Sequence, residues 1–285
     1  MNVGPEVVRV SMTSTPSGHP VVPVGVGTQA PLPFLVDTGA SGTVLDEAAV
    51  PLDSPGPDPV ESAVHGALGV ADPQRRVVGT VLRLGGWTTE RMEVTVLPLD
   101  TLSAQVGTPL GGVLGLDVLA LGVLELDLAR WTLTLSVQDH RVRRPGTFDG
   151  ESPIHRGPRD LVLLAAEVNG VEVTALLDTG AAVSVLNRVA GKAAGLAVDP
   201  MGGAAYAAGI GAGRTEVTRT RITEVRMGSI VLPGAVVTVA DLPVLSVLEL
   251  DQVPALLLGT DLLSGHVVVI DFPASRMYVT REGMR

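Results

Sequence analysis

Two aspartates occupy the same local setting in this chain. Asp37 follows the apolar run Phe34-Leu35-Val36 and enters Thr38-Gly39-Ala40, and Asp178 follows Ala175-Leu176-Leu177 and enters Thr179-Gly180-Ala181. A carboxylate at the end of an apolar, β-type run and released by a Thr-Gly turn is held at a fixed point with little side-chain bulk around it. Two such carboxylates brought within a hydrogen bond of each other cannot both ionise cheaply, so they share a proton. The ionised member can then take a proton from a water while the other donates one, which is acid and base chemistry at one centre. Read singly, each triplet is an ordinary turn. The recurrence sets the pair apart.

A second element recurs downstream. Val113-Leu114-Gly115-Leu116-Asp117 in the first half matches Leu257-Leu258-Gly259-Thr260-Asp261 in the second. The two aspartates of the triplets lie 141 positions apart (178 − 37) and the two glycines 144 (259 − 115), a near-constant offset that marks an internal duplication.

On these motifs the sequence resembles the aspartic peptidases, specifically a retropepsin-like domain present twice, over positions 6–135 and 160–281. The resemblance implies an all-β fold with few short helices: two pseudo-symmetric, closed-barrel-type lobes with the active site between them. The lobes are expected at 1–137 and 161–285, with an interlobe linker at 138–160 that carries charge, three prolines and three glycines. Asp37 and Asp178 are then the catalytic pair, acting through a water on the scissile amide. Thr38, Gly39, Thr179 and Gly180 support them: the hydroxyls cross to the other lobe, and the glycines admit backbone N–H groups to the carboxylates. Gly115 and Gly259 are expected to let backbone pass beside each turn, and Asp117 and Asp261 to cap the helices that follow. Glycine-rich flap hairpins are expected at 62–72, around His65 and Gly66, and at 202–213, with Tyr206, Gly209 and Gly211. Ala40 and Ala181 follow the retroviral type, whereas two lobes in one chain is the pepsin-like arrangement.

The resemblance implies an aspartic endopeptidase acting on extended segments of a peptide or protein substrate, with no metal and no organic cofactor. It is expected to be a monomer, since the second aspartate is supplied in cis. The alternative is a non-catalytic peptide-binding or scaffolding protein that kept the fold; the intact triplets in both halves disfavour it.

The elements that must position these residues are legible in outline. Hydrophobic residues make up 46% of the 285 and aromatics 2%, so the core must be built from Val, Leu and Ala, while 34 Gly and 21 Pro punctuate short strands. Strands are expected at 6–11, 20–36 with a break near Gly25–Gln29, 76–84, 92–99, 161–168, 171–177, 214–226 and 230–239. Hairpins are expected at 123–135 and 267–280. Asn169-Gly170 marks a tight hairpin, Asn187 to Gly195 a capped helix, and the proline-rich 51–60 a loop. The net charge of −10 is shared between the halves, which argues against nucleic acid or an anionic membrane surface as partner. There is no cysteine. No signal peptide or membrane-spanning run is recognised, so a cytoplasmic location is expected. The five histidines show no metal-binding spacing, and Gly209-x-Gly211-x-Gly213 is not a dinucleotide fingerprint.

Overall fold

The computed structural model describes residues 7–51, 58–60, 64–66, 69–71, 74–89, 92–137, 148–196, 205–207 and 215–281. Each half of the chain folds into a lobe whose sheet curls into a half-barrel. In the first lobe the strands run, side by side, Trp87–Thr88, Leu82–Leu84, Pro20–Val26, Leu32–Val36, Gly112–Leu114, Val44–Asp46, Met92–Leu97, Gln74–Thr80 and Asp58–Val60. In the second lobe the same path is walked by Ile230–Pro233, Glu224–Met227, Val162–Val168, Val171–Leu177, Ala255–Leu258, Val185–Leu186, Val236–Val239, Thr215–Arg221 and Ala205–Ala207. The duplication in sequence is thus a duplication of topology, strand for strand.

At the centre of each path the strand that ends at the aspartate lies parallel to the strand that ends at the downstream glycine. Leu32–Val36 pairs with Gly112–Leu114, and Val171–Leu177 with Ala255–Leu258. Towards the aspartates and glycines these strands are apolar because both faces are covered there: Phe34, Val36, Ala175 and Leu177 are all fully buried, whereas the far end of Val171–Leu177 carries Glu172 and Thr174.

A six-stranded sheet joins the lobes, with three strands from each half: Val7–Ser11, Thr132–Ser136, Val123–Asp127, His266–Asp271, Arg276–Arg281 and Gly150–Pro153. Its central pairing is antiparallel, with Val123 opposite Asp271, Glu125 opposite Val269 and Asp127 opposite Val267. Since 269 − 125 is 144, that pair joins two repeat equivalents, and the pseudo-two-fold axis passes between Glu125 and Val269.

Several elements depart from the sequence expectation. The stretch 138–160, read as a linker, joins the sheet from Gly150 on: Gly150–Pro153 pairs with Arg276–Arg281, and His155–Arg156 with Val162–Val168. The proline-rich stretch 51–60, read as a loop, ends in the edge strand Asp58–Val60, which carries Pro59 where one side of the strand has no partner to satisfy. The expected strand 76–84 is two strands, Gln74–Thr80 and Leu82–Leu84, and 214–226 likewise divides into Thr215–Arg221 and Glu224–Met227. The helix Asp100–Val106 was not anticipated; it buries Leu102 and Val106 and stops at Gly107 in the left-handed region (φ 74°). Among the described residues no helix is long and apolar enough to cross a membrane.

Candidate active site

The two Asp-Thr-Gly turns meet on the pseudo-symmetry axis. Each aspartate is held by its own lobe's parallel strand pair: Asp37 N–H donates to the Leu114 carbonyl (3.1 Å) and Asp178 N–H to the Leu258 carbonyl (3.0 Å). The threonines then lock the turns to each other. Thr38 Oγ1 donates to the Leu177 carbonyl (2.9 Å) and accepts from Thr179 N–H (3.0 Å). Thr179 Oγ1 donates to the Val36 carbonyl (2.8 Å) and accepts from Thr38 N–H (3.0 Å). Both threonines are fully buried, so these four bonds operate away from water, where an unmade bond is costly.

The glycines decide how close the carboxylates come. A Cβ on Gly39 would fall 2.6 Å from Asp178 Cγ, and one on Gly180 would fall 2.5 Å from Asp37 Oδ1. Each turn therefore offers bare backbone to the opposite aspartate, and any side chain there would push the two carboxyl groups apart. The two carboxyls lie near enough for each to shift the other's proton affinity.

Their surroundings differ. Gly39 N–H donates to Asp37 Oδ1 at 2.7 Å, whereas Asp178 Oδ1 is buried and meets no donor at hydrogen-bonding geometry among the described residues. Burial pushes the Asp37 carboxyl up from its ordinary value, opposed by the Gly39 N–H and by the neighbouring Asp178 carboxyl. Burial pushes Asp178 well above the ordinary range, and the negative charge of Asp37 adds to that push. Both carboxyls are thus pushed towards holding a proton, and the Gly39 N–H favours negative charge on Asp37 over Asp178.

The downstream loops brace the turns. A Cβ on Gly115 would meet the Gly42 carbonyl oxygen at 2.5 Å, and one on Gly259 the Ala181 carbonyl oxygen at 2.8 Å. Backbone passes that closely only where there is no side chain. It is fastened there by Leu116 N–H to the Ala40 carbonyl and Thr260 N–H to the Ala181 carbonyl, each 2.9 Å.

Asp117 and Asp261 are not the N-cap residues of the short helices Leu116–Leu119 and Thr260–Leu263, which are Gly115 and Gly259, although Asp261 Oδ1 accepts from Leu262 N–H (2.8 Å) in the first turn of its helix. Their carboxylates mainly reach back to the segment after each Asp-Thr-Gly turn. Asp117 accepts from Thr43 N–H (2.9 Å) and Thr43 Oγ1 (2.7 Å), and Asp261 from Ser184 N–H (2.9 Å) and Ser184 Oγ (2.5 Å). The same hydroxyls accept from Gly115 N–H (3.2 Å) and Gly259 N–H (2.9 Å), which closes each brace. Thr43 and Ser184 are therefore site-positioning residues that the sequence reading passed over, although their separation of 141 (184 − 43) repeats that of the aspartates.

Of the flap candidates, His65 and Gly66 lie in strand Val64–Gly66, paired with Gly69–Ala71, with Gly66 opposite Gly69. Tyr206 lies in Ala205–Ala207, opposite Glu216 of the next strand. Gly209 and Gly211 lie outside the described residues. No cluster of potential metal ligands occurs among the described residues.

Two sequence families match the chain, one in each lobe. The family described as aspartyl protease matches residues 22–118, and the gag-polyprotein putative aspartyl protease family matches residues 164–265. Among solved structures, Basic 7S globulin from soybean is similar in fold, with a TM-score of 0.53 at 13% identity over 96% of each chain. No curated protein matches. A tandem pair of such domains, meeting at paired Asp-Thr-Gly turns, defines a bilobal aspartyl-protease fold. The chain belongs to the retropepsin-like aspartyl proteases, with two copies of the domain in one polypeptide.

Proposed function

We propose that this protein is an aspartic endopeptidase that cleaves extended peptide segments through a water activated by Asp37 and Asp178. The observation that carries this is the meeting of two aspartate carboxyls, Asp178 buried and Asp37 half-buried, each accommodated by the other turn's glycine. With its charge retained, Asp37 takes a proton from water as the water oxygen bonds to the amide carbon. Asp178 gives its proton to the carbonyl oxygen. Collapse of the tetrahedral species breaks the C–N bond, with a proton passing to the leaving amine, and restores one proton to the pair. The threonine and Asp117/Asp261 braces hold the geometry through the cycle.

The substrate is an extended peptide, held by strand addition in the cleft between the lobes and favouring apolar side chains beside the scissile bond. The enzyme works as a monomer, because both aspartates come from one chain. The test is incubation with a peptide library, with and without an inhibitor that carries a hydroxyl at the position of the tetrahedral carbon. Cleavage at defined apolar junctions, abolished by the inhibitor, supports the assignment; binding without cleavage favours a peptide-binding role.

A further inference from the structure

The two Asp-Thr-Gly turns are copies of one motif, yet the loops beside them differ in charge. Each loop precedes the first long strand of its lobe and touches the other lobe just after its Asp-Thr-Gly turn: the Arg159 carbonyl at Ser41, and Gly18 where a Cβ would lie 3.9 Å from Ala182 Cβ. His155 pairs with Leu163 as Thr13 pairs with Val21, so equivalents in these loops lie 142 apart (155 − 13), and Arg159 is the counterpart of Ser17 (159 − 17).

The Arg159 carbonyl accepts from Ser41 Oγ at 2.5 Å, and Ser41 lies four residues after Asp37. This bond ties a second-half loop to the floor of the first lobe. Arg159 and the following Asp160 both sit in the left-handed region, with φ 58° and 63°, which non-glycine residues adopt only when their surroundings impose it. The turn is held by Asp160 N–H to the Gly157 carbonyl (3.1 Å) and by Arg156, whose Nη1 donates to the Asp160 carbonyl (2.6 Å) and whose Nε lies 3.8 Å from the Asp160 carboxylate.

Arg156 thus engages the one acidic side chain adjacent in this turn. Arg159 is exposed, and its guanidinium has no ion-pair partner among the described residues. Its counterpart is neutral and tied down: Ser17 Oγ donates to the Val106 carbonyl (2.9 Å) and lies 2.7 Å from His19 Nδ1. An exposed cation is thus carried by the loop bonded to Ser41, and a neutral, engaged hydroxyl by the equivalent loop of the other lobe.

We infer that Arg159 is a specificity-determining residue that recognises an acidic side chain of the peptide on the Asp37 side of the scissile bond, and so fixes the direction in which the peptide lies across the pseudo-symmetric site. Two identical half-sites would accept a peptide in either direction; duplication within one chain lets the two ends diverge, and this position has diverged in charge. The inference rests on the peptidase reading for its substrate, but binding can be read separately from turnover.

The experiment uses the full chain and one apolar-centred peptide, with Glu, Gln or Lys placed in turn at each position flanking the scissile bond. It also uses a non-cleavable reduced-amide version of each. Wild type should prefer Glu over Gln by about 3- to 5-fold in kcat/KM and in affinity, as expected of a solvent-exposed ion pair, at positions on one side only. Lys should be disfavoured there, and added salt should shrink the difference. Arg159→Gln should abolish the preference. Arg276→Gln, on the interlobe sheet, should keep it. Cleavage with no charge preference, or a preference that survives Arg159→Gln, overturns the inference and leaves the peptidase reading intact. Charge-selective binding lost in Arg159→Gln, without any turnover, sustains the inference and sinks the peptidase reading. Neither cleavage nor charge-selective binding overturns both.

Discussion

Replacing Thr38 with valine keeps the side-chain volume and shape and removes one oxygen. The hydroxyl makes two bonds across the lobe interface, to the Leu177 carbonyl and from Thr179 N–H. Thr179 is fully buried, so its N–H has no access to water once Thr38 Oγ1 is gone. An orphaned buried donor costs about 1–3 kcal/mol and the loss of the second bond about 1 kcal/mol more, for a total of roughly 2–4 kcal/mol. For a chain of this length each kcal/mol moves Tm by about 2 °C, so the variant should melt roughly 4–8 °C lower. Thr38→Ser retains the oxygen and should cost less than about 1 kcal/mol. Thr179→Val should match Thr38→Val to within about 0.5 kcal/mol, because its two bonds have nearly the same lengths. Urea and thermal unfolding on purified variants measure all three. A Thr38→Val loss below about 1 kcal/mol, or a Thr38→Ser loss equal to it, would show that the crossed hydroxyls do not hold the lobes together.

Other consequences concern titration and packing. Activity should follow a bell in pH on the weakly acidic side: burial raises both carboxyls, and Ala40 and Ala181 carry no hydroxyl to favour the ionised form. A bell centred in strong acid would refute the alanine argument. Because Asp178 binds its proton more tightly folded than unfolded, the wild type should lose stability as pH rises from the ordinary carboxylate value, 3.8, through the raised folded one. Asp178→Asn, which cannot ionise, should therefore gain stability relative to wild type at pH 7, with the gap closing towards pH 3; a variant destabilised at pH 7 would contradict the assignment. Gly180→Ala places a methyl against the Asp37 carboxyl and should reduce kcat/KM by at least about 10²-fold in a folded protein. Near-normal kinetics in that variant would mean that the carboxyls are not held by this contact.

How much could be read from the sequence follows from how local each feature is. The Asn169-Gly170 hairpin has both residues at positive φ, 51° and 80°, as its dipeptide dictates, and Asn187 Oδ1 accepts from Ala190 N–H as a cap should. Such features are encoded within a few residues. The Thr43–Asp117 and Ser184–Asp261 braces span 74 and 77 positions, and a hydroxyl six places after each aspartate carries no local signature. Only the repeat offset could have pointed to them. Gly150–Pro153 and Asp58–Val60 were missed because proline reads as loop, while a sheet edge tolerates it. The pairing of Arg159 with Ser41 was beyond reach for a further reason: it depends on two adjacent non-glycine residues in a left-handed turn, which composition argues against.

The catalytic claim is tested most directly by kcat/KM on a cleavable peptide for wild type, Asp37→Asn and Asp178→Asn, with matched circular dichroism and unfolding curves to establish that each variant is folded. Both single variants should lose at least about 10²–10⁴-fold, since either change removes the shared proton system. A folded Asp37→Asn or Asp178→Asn enzyme within tenfold of wild type would contradict the dyad.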